Sequence, residues 1–387
     1  MINLNIPNIS NDDVSSIIGC LESGWISSAG PDIQEFEKQF GAAVNSKFSV
    51  ACSSGTSALH VSLHLKNINE DSDVLLPALS FIASANAVRY CNGNPIFIDV
   101  QPADLGFNFD IAEEYIEQNY YLGDEKYINK NSQNTLKAIV PVHLLGCPID
   151  ISRLEDFAKK YHLEIIMDSA EALGSKYKNN YIGSENFLNC FSFNGNKIIT
   201  TGGGGMITAS SEEDAKYLRH ITTTAKTDNT FFIHDKVGFN YRLINLLASL
   251  GISQLKKIRQ FVDIKRNIQQ IYFNELTCDD IEVFCEPSLR QSNYWLNMIS
   301  FSERIMNKIS LNELVDHFRE NNIEVRQLCS IIPELEPYKK YERSSLINTF
   351  NIWNKSLCIP SSTNLSPTEQ EKVILATKKV LDVRLKI

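Results

Sequence analysis

"CFSFNGNKIITTGGGGM", residues 190–206, sets one lysine, Lys197, between a short apolar strand pattern and four consecutive glycines. Glycine offers no side chain to pack and loses more conformational freedom on folding than any other residue. Such a run implies that the backbone must come close to something. The apolar stretch 188–193 reads as a strand ending just before the lysine. In α/β proteins the region beyond a strand's carboxyl end is where ligands bind.

Working outward, the first two-thirds of the chain alternates short β-branched runs with helical patterns. Strands are expected at 74–77, 95–99, 138–142, 164–168, 188–193 and 205–209, with helices at 55–65, 80–90 and 151–161. This alternation predicts an α/β fold built on a mainly parallel sheet covered by helices. Beyond about residue 245 the pattern changes to a long helix over 246–276. A strand at 294–301, a helix at 311–321 and a terminal helix over 366–383, entered through Ser-Pro-Thr-Glu, complete it. The expected division is a large domain with an N-terminal arm, 1–245, and a smaller α/β domain, 246–387. The polar stretch 119–135 reads as a surface insertion.

The chain has 387 residues, 43% of them hydrophobic, which is ample for a large core. A formal charge of −9 argues against a nucleic-acid partner, since phosphates demand a basic surface. No apolar window is long enough for a membrane span and the first residues lack a leader pattern, so a cytoplasmic protein is expected. Nine scattered cysteines with no C-x-x-C pair read as reduced thiols, and no metal site is expected.

Several residues carry chemistry in combination. The strand at 164–168 ends on Asp168 and runs into a loop; taken alone, that acid serves equally well as a helix N-cap. The small-residue turn 51–57 opens a helix whose free amides, with the hydroxyls of Ser54, Thr56 and Ser57, suit a phosphate. Phe81 supplies an aromatic near the next strand end, where an ordinary core phenylalanine is the alternative. A lysine, an aspartate, a phosphate-ready helix start and an aromatic are what pyridoxal 5'-phosphate (PLP) needs. The lysine forms the Schiff base, and the aspartate keeps the pyridine nitrogen protonated.

The succession GTSALH (55–60), PALSFIASANAV (77–88), PIFIDV (95–100), VPVHLLG (140–146), MDSAEALGS (167–175), SFNGNKIITTGGGGM (192–206) and GFNYRLINLLASLGISQL (238–255) resembles the DegT/DnrJ/EryC1/StrS sugar aminotransferases. The resemblance covers nearly the whole chain and implies the PLP fold type I, aspartate-aminotransferase-like architecture. It implies amino transfer from an amino acid, such as L-glutamate, to a keto group on a nucleotide-linked sugar. Position by position, Lys197 resembles the catalytic Schiff-base lysine and Asp168 the pyridinium partner. Glu171 falls near the cofactor's phenolic oxygen, Gly55, Thr56 and Ser192 match phosphate contacts, and Phe81 matches the stacking aromatic. Asn240 resembles an asparagine that reaches the phosphate in a neighbouring subunit, which implies a homodimer with shared sites.

Within the family, the arm at 23–31 and the FNGNKIITTGGGG form of the lysine motif look most like enzymes aminating UDP-4-keto-6-deoxy-N-acetylhexosamines, of the legionaminic acid and bacillosamine type. Trp25, Ser27 and Ser28 would then lie near the sugar nucleotide, with a buried Trp25 anchoring the arm as the alternative. GDP-perosamine synthases share many of these features, and a non-catalytic regulatory member is a further alternative. His60 and His64 lack the glutamate of a zinc-protease motif and read as packing or surface residues. His143 follows an apolar strand and is assigned to the core. Arg242 is assigned to a carboxylate, a phosphate or a subunit contact.

Overall fold

The computed structural model describes residues 1–228 and 230–382. Its centre is a nine-stranded mixed sheet. Along its main path the strands run Phe48–Cys52, Gly205–Ala209, Leu188–Ser192, Glu164–Asp168, Thr135–Ile139, Ser72–Pro77 and Asn94–Ile98. The last five of these are mutually parallel. Gly205–Ala209 is antiparallel to both neighbours, so Phe48–Cys52 points the same way as the five. Six carboxyl ends therefore meet at one edge of the sheet, and Gly205–Ala209 begins there. The loops that leave six strands and the one that enters the seventh converge at that edge.

Phe48–Cys52 is a strand the sequence reading passed over, taking its end as a turn. Five residues bounded by a lysine and serines give too short a pattern to separate from a loop. The stretch 119–135 lies largely at the surface as expected, but it is ordered structure: it forms the hairpin Tyr120–Gly123 and Lys126–Asn129, joined to the main sheet at Ile128. Its polar sequence hides buried anchors: the Tyr120 hydroxyl donates to Asp73 Oδ2 at 2.7 Å, and Asn129 Nδ2 donates to the same oxygen at 3.1 Å.

Helices flank the sheet through apolar faces. Helix Asp32–Val44 carries Phe36 and Phe40 against Phe191 and Phe193, with centroids 5.1–5.7 Å apart for three of the cross-element pairs. Such pairs add about 0.5–1.5 kcal/mol each beyond simple burial. They fix the strand that leads into Lys197. Phe40→Ala would leave a cavity beneath it, at a cost of about 3–5 kcal/mol.

A four-stranded antiparallel sheet, ordered Ile281–Val283, Asn297–Phe301, Ser356–Ile359 and Arg326–Gln327, forms a second layer with its own apolar cluster around Tyr272, Phe301 and Phe318. The N-terminus joins this cluster, since Ile2 packs into it and bridges Ile323. Conversely, Leu328, Ile331 and Tyr338 pack into the main-sheet core, so no single cut in the chain separates the two clusters cleanly.

The expected helix over 246–276 is two helices, Asn245–Leu255 and Ile258–Leu276, broken at the Lys256–Lys257 pair. The terminal helix runs Pro367–Asp382; Val383, its expected last residue, lies outside the described residues. Among the described residues no helix is long and apolar enough to cross a membrane.

Candidate active site

Lys197 sits in the connection between Leu188–Ser192 and Gly205–Ala209. The loop is closed on itself. Lys197 N–H donates to the Asn194 carbonyl at 2.9 Å, Thr201 N–H to that of Phe193 at 3.0 Å, and Gly202 N–H to Thr200 Oγ1 at 2.8 Å. Ile198 and Ile199 are buried and anchor the turn. The four glycines have distinct uses. A Cβ on Gly205 would lie 2.5 Å from the Ser54 carbonyl oxygen, and Gly204 has φ +138°, whereas a Cβ on Gly203 meets nothing. Within the protein the closest approach these glycines allow is to the start of the helix Gly55–Leu65, while Gly203 and Gly204 line the cleft described below.

That helix is capped by Ser54, whose Oγ accepts the Ser57 N–H at 3.0 Å. Ser57 is absorbed by this capping box. The first-turn amides of Gly55 and Thr56 are among those a helix cannot satisfy internally. Gly55 lies against Ser192, where any Cβ would come within 2.8 Å of the serine's own.

Asp168 ends its strand and is buried. Ser84 Oγ donates to its Oδ2 at 2.6 Å and Ala170 N–H to its Oδ1 at 3.1 Å. No helix follows, so the capping alternative does not hold. Burial pushes its carboxyl above the usual range, opposed by these two donors and the charge of Lys197. Glu171 is also raised by burial, with Lys197 the chief opposing influence. Its Oε1 takes the Lys197 ammonium at 3.3 Å and its Oε2 the Leu145 N–H at 2.8 Å.

Gly55, Thr56, Phe81, Asp168, Glu171, Ser192 and Lys197 all line one cleft of about 630 Å³. Phe81 is 61% exposed at this cleft, which removes the core-phenylalanine alternative. Trp25, Ser27, Ser28 and Asn240 do not line it. Asn240 is exposed and bridges Thr223 through its backbone. Trp25 is 54% exposed, so it is no buried anchor. The arm is held instead by Asn245, whose Nδ2 donates to the Trp25 carbonyl at 2.8 Å.

The sequence reading missed several lining residues, among them Asn196, Trp295, Arg326 and Cys329. Trp295 was read as part of a strand, yet the strand begins only at Asn297, after a left-handed turn at Tyr294 with φ +46°. This turn brings the indole under the lysine, with Lys197 Nζ 3.9 Å from the ring centroid. The indole N–H donates to the Asn196 carbonyl at 2.6 Å. Asn293 ties the same turn down, its Nδ2 donating to the carbonyls of Glu171 at 2.7 Å and Leu173 at 2.9 Å.

The other residues weighed from sequence are structural. His60 is buried among Tyr90, Phe239 and Tyr241, and burial lowers its pKa to about 4. His143 is fully buried, accepts the Ile149 N–H at Nδ1, and is held down to about 3 by burial. Arg242 pairs with the buried Glu37 of its own chain.

The cleft suits PLP on its own geometry. A buried carboxylate with no cation in ion-pair range among the described residues matches a protonated pyridine nitrogen, and first-turn amides beside Ser192 match a phosphate. Two residues of the same lining, the buried Ser80 and the half-buried Asn196, each hold one enclosed side-chain oxygen without a hydrogen-bond partner among the described residues.

Comparison with known proteins agrees. The chain is 32% identical over 375 residues to the GDP-perosamine synthase of Escherichia coli O157:H7, covering 97% of this chain and 96% of that one. It is 30% identical over 383 residues to the GDP-perosamine synthase of Caulobacter vibrioides, covering 98% of each. The fold matches Spr1654 of Streptococcus pneumoniae, solved in a PLP form, with a TM-score of 0.88 over 99% of both chains at 22% identity. The sequence profile of a PLP-dependent family matches residues 7–378. With lysine, buried aspartate and helix start gathered at one sheet edge in the way that chemistry requires, the chain belongs to the DegT/DnrJ/EryC1/StrS aminotransferase family.

Proposed function

We propose that this aminotransferase moves an amino group from L-glutamate to the 4-keto carbon of GDP-4-keto-6-deoxymannose. The observation that carries the reading is whole-length similarity, at 30% identity or more, to two GDP-perosamine synthases. It replaces the UDP-N-acetylhexosamine substrate expected from the arm and lysine motif, which rested on short stretches. A regulatory role without turnover is disfavoured because Lys197, Asp168 and Glu171 are all in place around one cleft.

Bound PLP supplies an electron sink for the carbon that loses its proton. In this assignment the amides of Gly55 and Thr56 with Ser192 hold the phosphate, and Phe81 covers the ring. Asp168 keeps the pyridine nitrogen protonated, which its buried setting makes a strong interaction. Lys197 anchors the cofactor and carries the proton in both half-reactions. Glu171 and Trp295 hold its Nζ toward the cleft, and their burial keeps water from competing for the proton.

The working unit in this proposal is a homodimer. Phe231, Phe232 and Ile233 stand exposed on the hairpin Lys226–Asp228 and Ile233–His234, with Val237 beside it, near Asn240. A second copy of the chain would cover this apolar tip, placing Asn240 at the partner's phosphate. The domain boundary near residue 245 is retained as a proposal, with Ile2 and Leu328 as the crossings noted above.

Incubation with PLP, L-glutamate and separate GDP-, UDP- and dTDP-linked 4-keto-6-deoxy sugars tests the reading by product mass. An amino sugar formed from the GDP substrate supports it; formation only from a UDP substrate rejects the nucleotide assignment. Mixing Asn240→Asp with Lys197→Ala subunits tests the dimer. Activity returns on subunit exchange only if each site draws its lysine and asparagine from different chains.

A further inference from the structure

Behind Glu171 the chain makes a strained turn that a buried histidine holds closed. His143 lies just beyond the strand Thr135–Ile139, and its N–H donates to the Asp168 carbonyl at 3.1 Å. The chain then doubles back. Gly146 N–H donates to the His143 carbonyl at 3.2 Å, and Ile149 N–H donates to Nδ1 of the His143 ring at 3.1 Å. Burial keeps that ring neutral. Inside this loop Leu145 is buried at φ 56° and ψ 14°, the left-handed region that a leucine adopts only at a cost. There its N–H donates to Glu171 Oε2 at 2.8 Å, while Glu171 Oε1 takes the Lys197 ammonium at 3.3 Å. On its other side Gly146 fits so closely against Asn293 that a Cβ would collide with Asn293 Oδ1. That oxygen accepts the Trp295 N–H at 2.8 Å. Both supports of the lysine amine, the carboxylate and the indole, therefore lean on one turn.

Backbone strain persists only where the surroundings over-determine it, and it gathers at functional sites. Packing alone does not call for a histidine here. A hydrocarbon side chain would fill the position without enclosing ring nitrogens, and His143 Nε2 has no hydrogen-bond partner among the described residues. What a hydrocarbon cannot do is accept the Ile149 N–H. We propose that His143 is a positioning residue: its Nδ1 closes the turn 143–149, the turn holds the Leu145 N–H on Glu171, and Glu171 so held sets the place of the Lys197 amine. This rests on the PLP aminotransferase reading above and adds to it a residue that does not itself line the cleft.

The test uses full-length, PLP-loaded protein, with PLP occupancy and melting temperature measured first. His143→Leu removes the acceptor at similar volume, whereas His143→Asn keeps an acceptor, Oδ1, close to the place of Nδ1. Burial raises the Glu171 carboxyl and the nearby Asp168 adds to this, while Lys197 and the Leu145 N–H oppose it. Loss of the Leu145 donor raises it further, and the cationic group beside it loses counter-charge. The pH midpoint of the visible absorbance of bound PLP should therefore fall by about one unit in His143→Leu and stay near its original value in His143→Asn. A displaced lysine acts on proton transfer rather than on substrate binding. In His143→Leu kcat should fall roughly 10- to 100-fold, with KM for L-glutamate and for the keto-sugar nucleotide within about twofold; His143→Asn should recover most of kcat. An unmoved or raised midpoint, an unchanged kcat per folded molecule in His143→Leu, or an asparagine variant as impaired as the leucine one overturns the inference. Should His143→Leu not fold, Gly146→Ala leaves the histidine in place and forces the same turn away from Asn293; midpoint and kcat should both fall in it, and unchanged values overturn the inference. Failure of amino transfer in the unaltered protein rejects the proposed function instead, and the absorbance midpoint still decides the role of His143.

Discussion

Two lysines are largely buried near the same tryptophan, and they live in opposite surroundings. Lys197 has a carboxylate at 3.3 Å, an indole face below it and a cleft in front. Lys265, on helix Ile258–Leu276, is 2% exposed and meets only neutral oxygens: the Trp295 carbonyl at 3.0 Å, Asn5 Oδ1 at 3.2 Å and the Ser361 carbonyl. With no counter-charge, burial pushes its pKa down to about 7. A lowered lysine pKa is often taken as a sign of catalysis. Here the strongly perturbed lysine is enclosed and bolts the N-terminal arm, the Trp295 turn and the second sheet together, while the lysine that opens onto a cleft has an ionic partner. Access and partners, rather than burial alone, separate a reactive amine from a structural one.

Replacing each lysine gives the sharpest contrast. Lys197→Ala is expected to lower turnover by about 10³-fold or more, because no other cleft amine can move the proton, with little change in melting temperature. Near-normal steady-state rates would remove Lys197 from the proposed mechanism. Asp168→Asn preserves shape and removes the charge opposite the pyridine nitrogen. Turnover should fall by about 10²-fold while PLP still binds, as judged by its visible absorbance. If only stability fell, Asp168 would be a turn-closing residue and nothing more.

Lys265→Met should act on stability first. It strips donors from the buried Trp295 and Ser361 carbonyls, at a cost of about 1–3 kcal/mol in urea denaturation. The pH dependence has a definite sign. Between about pH 7 and lysine's ordinary value near ~10.4, the unfolded chain holds a proton that the folded chain has released, so the native contribution of Lys265 rises with pH across that window. The unaltered protein should therefore gain stability relative to Lys265→Met as pH goes from 7 to 9. A constant difference would mean that the buried amine stays charged.

The smallest change is expected from Trp295→Phe, which keeps an aromatic face under Lys197 but loses the indole N–H to Asn196. A stability loss of about 0.5–1.5 kcal/mol and a few-fold drop in rate should follow. A loss as large as that of Asp168→Asn would make the indole N–H, rather than the ring, the feature that holds the lysine loop.

The sequence by itself determined the α/β class, the order of most strands, and the grouping of Lys197, Asp168 and Thr56, while Glu171 and Ser192 were placed with them by the family resemblance. The first group follows from local signals: apolar runs ending at polar residues, glycines beside a lysine, and small capping residues before a helix. It did not reveal Trp295, Arg326 or Lys265, nor the buried anchoring of the 119–135 hairpin. Trp295 is 98 positions from Lys197 in the chain and reaches it only because Tyr294 adopts a left-handed turn before the strand begins. Arg326 looks in sequence like any surface arginine, and only the packing of the second sheet against the first leaves it facing the cleft without a carboxylate. Local sequence encodes which way a strand or helix runs; which charges stay unpaired is decided by distances between segments far apart in the chain, and those exist only once the chain has folded.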